Sequence, residues 1–223
     1  MSLTPTERAR RIKIVLFDVD GVLTDGTIWL VPAPAKPGSS ASTPQHQFPG
    51  ADGGVGFGIQ SATMMEAKGY SAHDGAGISL GRIGGLKFGV ITKRISETVA
   101  TRMRDLKIEY VYQGQAFKMK PVREIMEKEN VTLDEIAYVG DDVIDLPVMR
   151  QVGFAIAVAN ARDPVKAAAH YVTVHDGGYG AGRDAIDFIL ESKGILSRCI
   201  ETMIDEGNPI SPSMDIGNSS DNA

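Results

Sequence analysis

Short apolar runs rich in β-branched residues recur along the chain, each closed by glycine or polar residues. They span Ile12 to Val19, Lys87 to Thr92, Ile108 to Tyr112, Ile136 to Gly140 and Phe154 to Val158, with a shorter sixth from Tyr171 to Val174. Such runs predict buried strands. Between them, Ile95, Val99, Met103 and Leu106 recur at steps of three or four, as do Val122, Ile125 and Met126, and later Ala185, Phe188 and Ile189. That spacing lines one face of a helix. Strands alternating with helices of about ten residues predict an α/β fold of Rossmann-like form: a mostly parallel sheet with helices on both faces. In such sheets a ligand lies beyond the carboxyl ends of the strands.

Two regions break the rhythm. Between Val31 and Gly58 the chain is rich in Pro, Gly, Ser and Ala, which cannot bury a core and predicts a flexible excursion. Thr27 to Val31 before it and Gln60 to Ser71 after it are expected to form the arms of a projecting β-hairpin, inserted over about 26–72. Met64-Met65-Glu66-Ala67 in the second arm suits a short helix equally well. A single domain is expected over 1–193, followed by a largely disordered tail over 194–223 that is rich in Ser, Asn, Asp and Gly from Asn208 onward.

Composition narrows the class of protein. The 223 residues suffice for one sizeable α/β domain. With 23 basic against 28 acidic residues the net charge is −5, and no basic stripe points to a nucleic acid or an acidic membrane surface. The lone cysteine, Cys199, cannot form an internal disulfide, which fits the cytoplasm. Met1 to Arg11 lacks the apolar centre of a secretory signal. The longest apolar stretch, around Val152 to Ala161, is far short of the roughly 20 residues a membrane helix needs.

Candidate chemistry collects at the strand ends. The first run closes on Asp18-Val19-Asp20-Gly21-Val22-Leu23-Thr24-Asp25. Carboxylates two apart at a strand end point to one face, and they repel unless a cation lies between them. Hard oxygen donors then favour Mg²⁺. The fourth run closes on Gly140-Asp141-Asp142-Val143-Ile144-Asp145. A helix starting at Asp142 would put Asp141 and Asp145 on one face, although acids at a helix start are also favoured by the helix dipole alone. Two such clusters in one chain are expected to converge on one metal. Thr92, closing the second run, is suited to hold a phosphate oxygen together with the following N–H groups, or simply to cap a helix. Lys118 falls at an expected helix start, where the dipole disfavours a cation and a bound anion would compensate; a solvated surface lysine is the alternative.

In this order Asp18-x-Asp20, Thr92, Lys118 and Gly140-Asp141-Asp142-x-x-Asp145 resemble the four motifs of the haloacid dehalogenase superfamily of phosphohydrolases. The resemblance runs from about Ile12 to Leu190. It implies that Asp18 is a nucleophile, already ionised at neutral pH, and that Asp20 protonates the leaving oxygen and later activates water. Dehalogenases lack an acid at the Asp20 position, so phosphoryl chemistry is implied. It further implies Mg²⁺ held by Asp18, the main-chain carbonyl of Asp20, and Asp141, with Asp142 and Asp145 behind them, Asp145 orienting water or Lys118, and phosphoryl oxygens held by Thr92 and Lys118.

Within that superfamily, further stretches are similar to the 3-deoxy-D-manno-octulosonate 8-phosphate phosphatases: Asp74-Gly-x-Gly-Ile78, Tyr112-Gln-Gly-Gln115, Gly140 to Val148 and Gly177 to Arg183. This subgroup implies a capless, cytoplasmic homotetramer whose projecting hairpins meet. Its substrate is a small phosphorylated sugar acid of lipopolysaccharide synthesis. The chain departs from the subgroup in Lys93-Arg94, where Gly-Arg is usual, and in His73, where many relatives carry Arg. With Arg183, these three are candidate substrate contacts. His73 is otherwise a turn histidine bonded to local backbone, and its departure favours a nine-carbon nonulosonate 9-phosphate as the alternative substrate. A non-catalytic oligomeric module is a third reading, opposed by the presence of Asp18, Asp20, Lys118 and Asp141 together.

Overall fold

A computed structural model of the chain describes residues 3–33, 48–49, 55–56, 58 and 63–205. In chain order its strands are β1 (Ile14–Phe17), β2 (Trp29–Pro32), β3 (Phe48–Pro49), β4 (Val55–Gly56), β5 (Met64–Ala67), β6 (Lys87–Ile91), β7 (Tyr110–Tyr112), β8 (Ile136–Gly140), β9 (Phe154–Ala157) and β10 (Tyr171–Val172). The helices are α1 (Pro5–Ala9), α2 (Ala72–Ile83), α3 (Glu97–Asp105), α4 (Met119–Glu129), α5 (Leu146–Met149), α6 (Asp163–Ala168), α7 (Ala181–Ser192) and α8 (Leu196–Ile204).

The apolar run at the start of the chain becomes the centre of the sheet. Strand order is β10-β9-β8-β1-β6-β7, and every neighbouring pair is parallel. All four side chains of β1 are buried, because helices cover both faces and leave no side for water. Each such side chain stabilises the fold by about 1.5–3 kcal/mol relative to exposure. Phe17 stacks on Phe88 of the adjacent strand with ring centroids 6.3 Å apart. The order reverses beside β1, between β6 on one side and β8 on the other. Such a switch point opens a crevice at the carboxyl ends of these strands.

The projecting hairpin forms from β2 and β5, which pair antiparallel with Trp29 opposite Ala67 and Pro32 opposite Met64. Met64–Ala67 is thus a strand, and the helical option for it is excluded. Most of the Pro/Ser/Gly excursion falls outside the described residues.

Helix α2 went unrecognised in the hydrophobic pattern because glycine occupies positions 75, 77 and 81. Those glycines serve packing. A Cβ on Gly77 would lie 2.9 Å from Arg183 Cδ, and one on Gly81 would lie 2.4 Å from Phe88 Cζ. Only a smooth helix fits between α7 and β6. The tail expected from 194 needs a similar correction. It begins as α8, which packs on α2 and α7 and buries Cys199, so its apolar positions outweigh the polar ones around them. Residues 206–223 of that tail lie outside the described residues.

Candidate active site

The carboxylates come from two adjacent strand tips. Asp18 follows β1 and is buried; Asp141 follows β8. Because β1 and β8 pair in register, with Phe17 opposite Val139, their following residues meet. Single carboxylate oxygens of Asp18, Asp141 and Asp145 all lie within 4.8 Å of one another. The predicted convergence of the two acidic motifs is therefore present.

Beyond Phe17 the chain leaves the sheet in a tight turn, in which the N–H groups of Val22, Leu23 and Thr24 all donate to the Val19 carbonyl. Gly21 sits in this turn at φ +94°, and a Cβ there would fall 2.2 Å from Asp141 Oδ2. Glycine is required on both counts.

Burial acts first on these acids. It pushes Asp18 up to about 6, aided by Asp145 and opposed by Lys118. It pushes Asp141 up to about 7, with Asp18 and Asp145 adding repulsion. Asp141 Oδ1 is buried without a hydrogen-bond partner. Repelling, partly desolvated carboxylates with an orphaned oxygen fit a hard divalent cation, which would reverse both shifts.

Asp145 plays a different part from the one its spacing predicted. No α-helix starts at Asp142. A 3₁₀ turn over Val143–Asp145 intervenes, and Asp145 folds back so that Oδ2 accepts from the N–H groups of Asp141, at 3.0 Å, and Asp142, at 3.3 Å. Its Oδ1 accepts from Lys118 Nζ and from the Tyr138 hydroxyl, both at 2.7 Å. With both oxygens engaged, Asp145 holds the loop and the lysine and has little left for a metal. Gly140 permits this, since a Cβ there would lie 2.7 Å from the Asp145 carboxyl carbon.

Lys118 precedes α4 and is buried, so the solvated-lysine alternative fails. Its Nζ lies 2.9 Å from Asp18 Oδ2 and 3.2 Å from the Tyr138 hydroxyl. Burial works against the ammonium, yet Asp18 and Asp145 hold its pKa above that of free lysine. It stays charged.

Thr92 is buried at the tip of β6. It caps nothing, because α3 starts at Glu97 and Ser96 is its cap. The Thr92 hydroxyl accepts from the N–H of Arg94 at 3.3 Å. The residue is thus placed at the strand tips next to β1, as expected, but without the helix start that was to follow it.

Asp20 departs from the geometric expectation. Its carboxylate does not share a cation with that of Asp18, because the strand's alternation ends at Phe17. Instead it pairs with Lys68 and, at 3.8 Å, with Arg94 Nε. Lys68 and Glu66 had no signal in the sequence, as they lie in a hairpin arm 48 and 46 residues from Asp20, beyond an insertion of no regular pattern. Tyr138 was hidden in an apolar strand.

Of the substrate candidates, Arg94 is drawn to Asp20 and to Glu66, at 2.8 Å. Arg183 turns along its own helix to Asp187 at 2.7 Å, so its side chain is committed elsewhere. His73 is exposed at the start of α2, where its main-chain N–H donates to the Ser71 cap. Lys93 and Asp142 are exposed.

Comparison with known proteins agrees with this arrangement. Residues 90–179 match the model of a haloacid dehalogenase-like hydrolase family. The chain is 33% identical over 189 residues to the 3-deoxy-D-manno-octulosonate 8-phosphate phosphatase KdsC of Escherichia coli K12, covering 85% of each. The corresponding Yersinia pestis crystal structure superposes with a TM-score of 0.68 at 32% identity, covering 86% of this chain and 88% of that one. The Moraxella catarrhalis phosphatase, crystallised in complex with magnesium, phosphate and KDO, gives 0.71 at 29% identity over 89% of this chain and 97% of that one. By sequence, fold and the meeting of its acidic strand tips, the chain belongs to the haloacid dehalogenase superfamily of phosphatases and is a phosphoric monoester hydrolase.

Proposed function

We propose that the protein hydrolyses 3-deoxy-D-manno-octulosonate 8-phosphate to the free sugar acid and phosphate, in lipopolysaccharide sugar synthesis in the cytoplasm. The observation that carries the mechanism is the meeting of Asp18 and Asp141, at the tips of β1 and β8, with Lys118 from the start of α4. The substrate rests on likeness to phosphatases that bear this name.

Asp18 is the nucleophile. Val19 N–H donates to its Oδ1 at 2.7 Å and Lys118 binds Oδ2, so the carboxylate is oriented before substrate arrives. A carboxylate oxygen attacks phosphorus, the bond to the sugar oxygen breaks, and Asp20 gives that oxygen a proton. Asp20 then takes a proton from water, whose oxygen attacks the aspartyl-phosphate and restores Asp18. Lys118 and Thr92 hold the phosphoryl oxygens. Asp18, the Asp20 carbonyl and Asp141 would hold Mg²⁺, which supplies charge neutralisation at the phosphoryl group when bound. Asp145 and Tyr138 keep Lys118 in place, and Asp142 steadies the turn through its bond to Val143 N–H.

Of the candidate substrate contacts Lys93, Arg94, His73 and Arg183, Arg94 is the one already at the site, beside Asp20. The exposed His73, in place of the usual arginine, supports a nine-carbon sugar acid as the second reading.

A panel of sugar phosphates with Mg²⁺ tests the substrate. Hydrolysis of the octulosonate 8-phosphate at the highest kcat/KM supports the proposal. Preference for a nonulosonate 9-phosphate transfers it to that substrate, and no turnover of any phosphate ester removes the enzyme reading in favour of a non-catalytic module.

A further inference from the structure

Asp20 is gripped from the hairpin. The Lys68 side chain is completely buried, a costly place for an ammonium, and its Nζ bonds Asp20 Oδ1. The second oxygen, Asp20 Oδ2, is buried with no hydrogen bond. Glu66, two residues earlier and on the same arm, stands 3.7 Å from Lys68 and binds Arg94 at 2.8 Å. Its Oε1 also accepts from Ser96 Oγ at 2.5 Å, and its main-chain carbonyl accepts from Thr98 Oγ1 at 2.9 Å. The hairpin is thereby tied to the segment that follows Thr92. A buried ion pair is weak as a stabilising device, since an apolar side chain would pack the arm as well. Its distinctive effect is geometric.

We propose that Lys68 is a positioning residue for Asp20, fixing Oδ1 so that Oδ2 faces the leaving oxygen, with Glu66 aligning Lys68 and Arg94. The proposal rests on the assignment of Asp20 as proton donor. The hairpin then contributes to catalysis within its own subunit, beyond any role between subunits.

Leaving-group dependence tests it, because a phenol of low basicity needs little protonation whereas phenol itself needs much. Single-turnover phenol release is measured with Mg²⁺ for phenyl and 4-nitrophenyl phosphate in wild type, Lys68→Met, Lys68→Arg, Asp20→Asn and the Lys68→Met/Asp20→Asn double variant. Lys68→Met is expected to lose about tenfold or more with phenyl phosphate but less than about threefold with the nitrophenyl ester. Lys68→Arg should recover most of the loss, and the double variant should match Asp20→Asn alone. Glu66→Gln, which keeps the Ser96 bond, should show a weaker version of the same selectivity and serves if Lys68→Met fails to fold. Equal losses with both esters, or additive losses in the double variant, would overturn the role of Lys68. An Asp20→Asn enzyme without leaving-group selectivity would instead overturn the proton-donor assignment and the proposal with it.

Discussion

Asp18 and its neighbours show one residue serving chemistry at the expense of comfort. Burial and the repulsion of Asp145 lift its carboxyl to about 6, against the pull of Lys118. Asp18→Asn removes that charge while preserving shape, and Lys118 keeps its partner in Asp145. Phosphatase turnover is expected to fall at least about 10³-fold, while the melting temperature without Mg²⁺ stays level or rises. Rates near wild type by a phosphate-release assay would refute Asp18 as nucleophile. At this scale the sequence disclosed identities well: Asp18, Asp141 and Lys118 all reach the cluster. The helix face that the spacing of Asp145 suggested did not form, because a capping arrangement with backbone N–H groups competed successfully with helical side-chain display, yet Asp145 still stands behind the cluster and orients Lys118, as the resemblance implied.

Among the elements, the junction of α2 and α7 carries a buried charge outside the cluster. Asp74 on α2 accepts from the N–H of Arg183 at 2.8 Å at the start of α7, and burial raises its carboxyl to about 6 despite the bonds from Arg183 and Gly182. A carboxyl raised in the folded state binds more protons folded than unfolded. Its contribution to stability is full below the unfolded value near 4 and is lost as the pH rises through about 6. Asp74→Asn, neutral throughout, is expected to abolish that part of the decline, on the order of 2 kcal/mol, in urea melts between about pH 4 and pH 7. Parallel pH profiles for the two proteins would refute the assignment. The strands were visible as apolar runs, since burial on both faces requires them. Helix α2 was not, because its glycines answer to neighbouring Arg183 and Phe88 and break the local pattern.

For the whole molecule, Trp29, Leu30 and Met65 lie exposed on the hairpin, Trp29 at 62%. Trp29 and Met65 fall on one face of the hairpin and Leu30 on the other, and exposed apolar side chains of that kind fit the tetramer inferred from the resemblance, with four hairpins in contact. Light scattering is expected to give four times the chain mass, falling on Leu30→Asp together with Met65→Asp; a monomeric wild-type mass would exclude it. Among the described residues no helix is long and apolar enough to cross a membrane. By itself the sequence determined the parallel α/β class, the phosphatase family and the acids at the strand tips, because hydrophobic period and motif spacing are local properties. Only the tertiary structure decided that Asp20 faces Lys68 and Arg94 while Asp18 faces Asp141 and Lys118. Those partners come from a hairpin arm, the segment after β6, the tip of β8 and the start of α4, and no local pattern records which distant side chain a buried carboxylate meets.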